Sequence, residues 1–567
     1  MKRSQWLTKF ISGAYKAVVS YIFFLILAAL LFMAAFSTCF VDAAENIYYL
    51  PDNWWTNLAV PAVALALALI AAKTLKKAVH KIENDGQFFK KVRRTILIST
   101  WIVLSLWTIC TQMHPRADQK LMFDVAKALS EQDFSAYSDV NYLYTFNHQI
   151  GLAMVQYILN MFLGEYNYVA YQLINAILVV LIYKELSEIG GLFGLSRVAQ
   201  LCVILLGLLF TPIALYLSFI YGTIPGLFFA LIAIRMEIVY FRGGIWKHAI
   251  SSAICIAFAV MLKSNYMIFM LGMLIYAVTE ILCWANIKRL LIIMFVGLFC
   301  VAQAKIPIGI LAEMRGAEIP TGVSKWAWVT MGLQENANPG WYSGYTLSTL
   351  IGSDYDTKRQ EIWVKEDLKG RLEELWEDKD AARDFFVRKT ASQWNEPSFE
   401  SMFILLGNEL GSGAEWPKYF INEHGNRSLT SYLNYLHFII LSGSMLYLLL
   451  CSKSEHFHDS LIFPMIIIGG FLFHMVWEAK SQYTLPYFVL LLPYTVMGYS
   501  AAAEGLSKLI SGERKTGSAL CVSKKEIAVK LVLLAAGLLI LWYVFHGTLG
   551  SLTCDTEAYM NYLAQHS

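Results

Sequence analysis

Residues 95–120 read TILISTWIVLSLWTICTQMHPRADQK, and this stretch joins an apolar run to a charged loop. Residues 95–112 carry no charge, and a helix needs about 20 mostly apolar residues to cross a bilayer. The run therefore predicts a transmembrane helix. The loop that follows places Asp118 between Arg116 and Lys120. Charges held beside a bilayer are costly and often have a function, so this loop is a candidate site.

The composition of the whole chain agrees with a membrane protein. Of its 567 residues, 57% are hydrophobic and only 15% are charged, whereas about 25% of the residues of a typical soluble domain are charged. The net charge of +3 is too small to indicate a nucleic-acid partner. The nine cysteines include no C-x-x-C pair, so neither a zinc site nor a disulfide framework is indicated. The chain contains no nucleotide-binding P-loop, which argues against an ATP-driven pump. It also contains no evident internal repeats.

Apolar segments as long as a span recur along the chain and predict an all-α polytopic membrane protein. The first of them, 15–40, is too long for the apolar part of a signal peptide, so we expect it to remain as a span. We predict 13 transmembrane helices, at 15–40, 56–75, 95–112, 167–185, 198–217, 222–241, 247–262, 266–284, 288–306, 431–451, 459–477, 484–502 and 526–546.

The loops between these spans alternate in charge. One set is rich in lysine and arginine, and the positive-inside rule places it in the cytoplasm. The other set is acidic and is expected outside, which puts the N-terminus in the cytoplasm and the C-terminus outside the cell membrane. The basic set includes Lys73, Lys76, Lys77, Lys90, Arg93, Arg94, Arg197, Arg242, Arg514 and Lys515, and the acidic set includes Asp42, Glu45, Asp118, Asp139 and Glu478.

Two segments outside the spans complete the predicted organisation. Residues 148–164 are apolar but short, and counting them as a crossing would place the later basic loops outside. We therefore expect an interfacial helix there, with a true crossing as the alternative. Residues 307–430 are too polar to span and predict a small extracellular helical region, with helical spacing over 359–388. The other parts are a two-span hairpin with its cytoplasmic loop (1–94), a transmembrane core (95–306) with a first outer loop (113–166), and the C-terminal spans (431–567).

Asp118 is the candidate catalytic residue. A carboxylate can take a proton from an attacking hydroxyl if it is ionised and within hydrogen-bond reach. We expect Arg116 and Lys120 to favour the ionised form, and Arg116 could also bind a phosphate through two hydrogen bonds. The alternative is an ordinary solvated loop with a surface ion pair, and the residues alone leave both interpretations open.

Polar residues on the predicted outer side are candidates for substrate binding. His148 and Gln149 open the interfacial helix and could hydrogen-bond a sugar or a phosphate, or only anchor the helix at the interface. Lys263 interrupts an apolar stretch within Lys263-Ser264-Asn265. An anionic lipid phosphate would be a suitable partner for it, and snorkelling to the surface is the alternative.

The short segment WEAKSQY, residues 477–483, lies between two predicted spans. Its Glu478, Lys480 and Tyr483 offer hydrogen bonds suited to a sugar or a phosphate. A helix-end ion pair within an aromatic belt is the alternative. The sequence requires no cofactor, and a divalent metal is possible but has no compact ligand cluster to support it.

The order of these features resembles the GT-C class of integral-membrane glycosyltransferases, which includes protein O-mannosyltransferases and lipid A aminoarabinose transferases. In that class an Asp follows an early span, interfacial helices come next, and a second large outer region lies further along. Asp118, 148–164 and 307–430 stand in that order here. The two N-terminal spans look like an addition. The segments KWAW (325–328), MGL (331–333) and QWNEP (393–397) look like those of Gram-positive members.

The resemblance implies a polyprenyl-phosphate sugar as donor, an acceptor that is a glycan, lipid or protein, and inverting displacement at the anomeric carbon. Asp118 would be the base that activates the acceptor hydroxyl, and Arg116, Lys263 or Lys480 could bind the lipid phosphate. The chain departs from the class at Thr223, in a turn where many members carry a second acid. Two other functions stay open, a flippase or transporter for lipid-linked glycans and a non-catalytic membrane scaffold.

Overall fold

The computed structural model describes residues 2–137, 141–164, 166–284, 287–406, 409–452, 454–510 and 524–566. Asp139, Arg514 and Lys515, which entered the predicted orientation, lie outside the described residues. Helices dominate throughout. The first part of the chain forms α1 Lys2–Phe36, α2 Trp54–Thr74, α3 Lys76–Asn84, α4 Gly86–Thr111, α5 Ala117–Ser130, α6 Tyr142–Thr145, α7 Ile150–Leu163, α8 Tyr168–Leu192, α9 Arg197–Leu209, α10 Thr211–Leu215, α11 Thr223–Gly243, α12 Trp246–Leu262, α13 Met267–Trp284 and α14 Leu291–Arg315.

The second part of the chain begins with a run of short helices and returns to long apolar ones. Its helices are α15 Lys325–Gly332, α16 Tyr345–Gly352, α17 Thr357–Glu377, α18 Lys379–Trp394, α19 Ser401–Leu405, α20 Glu423–Leu450, α21 Phe457–Ser460, α22 Ile462–Val476, α23 Leu485–Ile510, α24 Lys524–Phe545 and α25 Thr556–His566. The chain is thus a helical, multi-pass membrane protein.

Every predicted span coincides with a helix or with a bent pair of helices, but the exact number of 13 spans is not confirmed. Among the described residues, ten helices are long and apolar enough to cross a membrane, and up to twelve if two bent pairs each count as one span. One pair bends by 61° between α9 and α10, and the other bends by 75° between α24 and α25. The remaining predicted span corresponds to α12, which has only 17 residues. The predicted count of 13 is therefore not confirmed.

A small antiparallel hairpin, which we did not predict, follows α1. Strands β1 Ser37–Val41 and β2 Ile47–Pro51 pair so that Cys39 faces Tyr49. The Cys39 N–H donates to the Asn395 carbonyl at 3.1 Å, and Asn395 Nδ2 donates to the Ser37 carbonyl at 2.8 Å. The predicted first span therefore ends early, at Phe36, because residues 37–41 pair with a strand instead of continuing the helix.

Helix α7 is too short to cross a bilayer. Its 14 residues extend about 21 Å, against a hydrocarbon core of about 30 Å. The helix packs closely on α12, where a side chain at Gly151 would meet the Met261 carbonyl at 2.6 Å. Near its other end Met161 and Phe162 are exposed, Phe162 by 81%. This apolar tip fits the predicted interfacial helix.

The region between α14 and α20 is shorter than the predicted 307–430. Helix α14 continues through Pro307 to Arg315, and α20 already begins at Glu423. We call the intervening residues 316–422 the cap. The predicted helix over 359–388 is two helices, because Asp378 is extended and its side chain accepts hydrogen bonds from the N–H groups of Asp380 and Ala381, which caps a new helix.

The loops gather at two opposite ends of the helical bundle. At one end, which we call the cap end, Tyr216 donates to the Phe399 carbonyl at 2.6 Å. At the other, the basic end, Arg242 pairs with Asp459 and Arg197 donates to the Glu83 carbonyl at 2.6 Å. The loops predicted to be cytoplasmic thus meet one another at the end away from the cap.

Candidate functional site

A cavity of about 460 Å³ lies between the cap and the helical bundle. Its walls come from the hairpin loop, the start of α5, the segments before α7 and α11, the cap, and the turn between α22 and α23. Both aromatic and charged side chains line it. The lining includes Glu45, Arg116, Asp118, Tyr142, His148, Gln149, Tyr221, Trp328, Tyr342, Glu400, Glu478, Lys480, Gln482 and Tyr483.

Asp118 lies in the first turn of α5, at the wall of this cavity. Gln119 anchors that turn, because its buried side chain accepts a hydrogen bond from the Ile220 N–H at 3.0 Å. The Asp118 carboxylate is open to the cavity but has protein on most sides, and this partial desolvation raises its pKa above the usual range. Glu45 raises that pKa further, while Lys480 and Lys263 lower it. The helix N-terminus also favours a negative charge here.

The cations that we expected beside Asp118 are engaged elsewhere. The Arg116 guanidinium donates to the carbonyls of Phe403, at 3.0 Å, and Leu406, and it lies over the Phe403 ring. Lys120 forms an exposed ion pair with Asp124 at 3.3 Å. The predicted role of Arg116 and Lys120 in keeping Asp118 ionised is therefore wrong. Lys480 and Lys263, from distant parts of the chain, have that effect instead.

Lys480 is held by an ion pair that the sequence did not suggest. Its Nζ lies 2.8 Å from Glu45 Oε1, in the loop of the β1–β2 hairpin. Burial alone would lower the pKa of Lys480, but Glu400, Glu45 and Glu478 outweigh it and raise that pKa above the usual value. Lys480 is therefore charged at every physiological pH. The N-terminal part of the chain, which looked like an addition, thus supplies a residue of the cavity.

Lys263 lies in a small pocket that adjoins this cavity, with Gln482 and Tyr483 lining both, and it has no ion pair among the described residues. Its Nζ donates to Thr223 Oγ1 at 2.8 Å and lies 5.4 Å from the ring centres of both Tyr221 and Tyr483. Burial lowers the pKa of Lys263 to about 8, although Glu400, Glu478 and Asp118 act in the opposite direction. A buried ammonium held by one hydroxyl and two aromatic faces can accept an anionic partner.

The turns that carry these two lysines share a sequence and a conformation. Residues 263–266 read KSNY and residues 480–483 read KSQY. Each lysine is extended, with φ of −155° at Lys263 and −158° at Lys480, and each precedes one 3₁₀ turn that leads into a membrane helix. Two four-residue segments that start 217 positions apart are too short to be recognised as an internal repeat from the sequence alone. Their common location in the fold makes the similarity visible.

Glu478 and Tyr483 face each other across the second of these turns. The Tyr483 hydroxyl donates to Glu478 Oε2 at 2.8 Å. Burial raises the pKa of Glu478 to about 7, against the effect of Lys480. At neutral pH this carboxyl is therefore divided between its protonated and ionised forms, and it can donate or accept a hydrogen bond.

His148 and Gln149 lie where the sequence suggested, at the start of α7 and in the cavity wall. Gln149 Nε2 donates to the Tyr221 hydroxyl. His148 is exposed to the cavity, and its ring lies edge-on to Trp328 at 6.3 Å between ring centres. Trp328 in turn stacks on Trp477 with an angle of 12° between the rings. These aromatic faces are suited to the apolar faces of a sugar.

Two buried glutamates of the cap, which we did not single out, fix the Lys480 turn. Glu400 Oε1 accepts the Ser481 N–H at 2.9 Å, and Glu396 Oε2 accepts the Ser481 hydroxyl at 2.8 Å. Phe399 and Glu400 both have left-handed backbones, with φ of 55° and 57°. Such strain persists only where surrounding contacts impose it. The sequence contained one indication of this arrangement, because Glu396 lies in the QWNEP segment (393–397) that resembles the GT-C class.

A buried lysine of the cap fixes the approach to the same turn. Lys389 Nζ donates to the carbonyls of Met475, at 3.1 Å, Trp477, at 2.8 Å, and Gly332. Ala479 then donates to the Gly340 carbonyl at 2.8 Å. The last turn of α22 and the segment after it are thus tied to the cap, which orients Glu478 and Lys480.

The chemistry available in the cavity is proton transfer beside two cations. Asp118 offers a carboxylate, Lys480 offers positive charge in the same lining, and Lys263 offers it from the adjoining pocket. Within the described part of the chain, no group of three or more His, Cys, Asp or Glu side chains is arranged to hold a metal ion. Thr223 offers no carboxylate and accepts the hydrogen bond of Lys263.

The chain was compared with family models, with curated proteins and with solved structures. None of the three comparisons finds a match. Any function for the chain therefore has to be inferred from the geometry of the cavity.

Proposed function

We propose that the protein is a glycosyltransferase of the GT-C type that transfers a sugar from a polyprenyl-phosphate donor to an acceptor hydroxyl. The observation that carries the proposal is that Asp118 and Lys480, from separate parts of the chain, line one cavity, while Lys263 in an adjoining pocket is close enough to lower the pKa of Asp118. The cavity volume lies within the range of about 300–1,000 Å³ that is typical of small-molecule sites. Its aromatic and charged residues are suited to a sugar joined to a phosphate.

In the proposed reaction the carboxylate and the cations have different roles. Asp118 takes the proton of the acceptor hydroxyl, and the hydroxyl oxygen attacks the anomeric carbon. The bond between that carbon and the phosphate oxygen breaks, and polyprenyl phosphate leaves with the electron pair. Lys263 and Lys480 stabilise the charge on the leaving phosphate, which needs no general acid because it departs as a stable anion. Attack opposite the leaving group inverts the anomeric centre.

The proposed orientation places the cap outside a cell membrane. The lysine- and arginine-rich loops meet at the basic end, and the positive-inside rule places that end in the cytoplasm. The N-terminus of α1 is then cytoplasmic, and α25, which packs on the β1–β2 hairpin, is outside. A donor with its lipid in the bilayer would reach the cavity from the outer leaflet, and the acceptor, a glycan, lipid or protein, would approach from the cap side.

A flippase is less well supported, because the buried acids that the structure describes in the membrane helices, Glu185, Glu237 and Glu280, all lie near the basic end. Glu185 of α8 pairs with Arg235 of α11, and Glu280 of α13 lies 2.5 Å from His458. Each of these acids lies within about two helical turns of the basic end of its helix. A transport pathway calls for polar groups along the spans.

The experiment measures transfer and transport on the same sample. Purified full-length protein in sealed liposomes is given radiolabelled polyprenyl-phosphate sugars and an extract of the host cell envelope as acceptor source. Transfer to acceptor with release of polyprenyl phosphate is expected. Movement of labelled donor across the bilayer without transfer would support the flippase instead, and neither activity with any such donor would support the scaffold.

A further inference from the structure

A second cavity, separate from the first, lies between α4 and α8 at the basic end of the bundle. Its volume is about 560 Å³. Four cations line one part of it, and apolar side chains line the rest. The cations are Lys90, Arg93, Arg94 and Lys184, and the apolar residues are Leu97, Ile98, Trp101, Ile177, Val180 and Leu181.

The lining changes from charged to apolar in the same direction on both helices. On α4, Lys90, Arg94, Leu97 and Trp101 recur at intervals of four, three and four residues, which places them on one face. On α8, Lys184, Leu181 and Ile177 follow the same spacing in reverse order. From Lys90 to Trp101 the helix rises about 16 Å. The groove is therefore cationic at the basic end and apolar toward the middle of the bundle.

The positive charge at the mouth of the groove is only partly neutralised. Arg93 and Lys184 share Glu188, at 3.5 and 3.2 Å. Lys90 and Arg94 are exposed and have no ion-pair partner among the described residues. Two cations at the mouth of the groove are thus free to bind an anion, and the apolar part of the groove continues from them toward the middle of the bundle.

We infer that this groove binds one acidic phospholipid of the membrane. The phosphate of the headgroup lies between Lys90 and Arg94, and one acyl chain follows Leu97, Ile98 and Trp101 toward the middle of the bundle. Charge complementarity selects this occupant, because a zwitterionic lipid would bring its own cation to a mouth that is already positive. The inference does not depend on the proposed transferase activity.

The test is native mass spectrometry of the full-length protein, titrated with phosphatidylglycerol or with phosphatidylcholine of the same acyl chains. We expect preferential retention of phosphatidylglycerol. The double variant Lys90→Gln/Arg94→Gln should lose about 25-fold in affinity for it, at about fivefold per cation. Ile98→Trp, which fills the groove and keeps the charges, should also weaken binding.

The matched control is Lys76→Gln/Lys77→Gln, which removes the same charge from exposed residues of α3 at the same end. This variant should keep its preference for phosphatidylglycerol. Equal binding of the two lipids, or an equal loss in the control, would overturn the inference in favour of a general surface potential. Stronger retention of polyprenyl phosphate than of phosphatidylglycerol, or displacement of the lipid by inorganic phosphate alone, would also overturn it.

Discussion

The two lysine turns, KSNY at 263–266 and KSQY at 480–483, have nearly the same backbone and very different electrostatic surroundings. Lys480 faces Glu45, and neighbouring acids raise its pKa. Lys263 faces the neutral hydroxyl of Thr223, and burial lowers its pKa to about 8. Local sequence thus fixes the conformation of each turn, while residues far away along the chain fix its charge.

The difference suggests different tasks for the two lysines. Lys480 is already neutralised by Glu45 and is held by the hairpin and the cap. Lys263 is a desolvated cation without an acidic partner, so an anionic ligand gains more by binding to it. In the proposed reaction Lys263 is therefore the main ligand of the donor phosphate, and Lys480 chiefly sets the shape and charge of the cavity.

Replacing each lysine by methionine should separate stability from binding. Lys480→Met leaves Glu45 without its partner and should lower the free energy of unfolding by roughly 3 kcal/mol. Lys263→Met should leave stability unchanged or raise it, and should weaken binding of polyprenyl phosphate by more than about tenfold. Thermal unfolding and equilibrium lipid binding measure the two effects. Equal loss of stability in both variants would contradict the comparison.

Thr223→Asp should give Lys263 an acidic partner, as Glu45 is for Lys480. The new carboxylate would pair with Lys263 and compete with the donor phosphate, so the affinity for polyprenyl phosphate should fall by about tenfold, as for removal of one charge-assisted hydrogen bond. Thr223→Val removes only the hydroxyl and serves as the control, with a smaller loss. Tighter donor binding by Thr223→Asp would show that Lys263 does not bind the phosphate.

The pH dependence of donor binding should reveal the lowered pKa of Lys263. Because the free protein loses this charge as the pH rises through about 8, the affinity for polyprenyl phosphate should fall above that pH. Lys263→Arg keeps its charge and should bind well to a higher pH. An identical profile in the two proteins would assign the titration to another group.

The decrease in the transfer rate at acidic pH should report the protonation of Asp118. Its raised pKa means that the carboxylate is lost as the pH falls, and the rate should fall with it. Glu45→Gln removes a charge that raises this pKa, so the fall should move to lower pH. Lys480→Gln removes a charge that lowers it, so the fall should move to higher pH. Shifts in the same direction would contradict the assignment.

The sequence predicted the helical membrane fold well because long apolar runs report membrane spans directly. Of the predicted span 95–112, for example, residues 95–111 lie within α4 and Gln112 is its C-cap. It also singled out Asp118, Glu478, Lys480 and Tyr483, which line one cavity in the structure, because polar residues next to apolar runs are conspicuous. The sequence could not show which charges would meet. Glu45 lies 435 positions from Lys480, and Arg116, two positions from Asp118, points to backbone carbonyls of the cap.

The most direct test of the proposed transfer is the rate of Asp118→Asn at saturating donor, compared with that of Asp124→Asn. Asp124 lies on the same helix, outside the cavity lining, and forms an exposed ion pair with Lys120. We expect Asp118→Asn to bind polyprenyl phosphate normally and to transfer sugar at least about 100-fold more slowly, as for loss of a general base. Asp124→Asn should transfer at the wild-type rate. Undiminished transfer by Asp118→Asn would contradict the proposed mechanism.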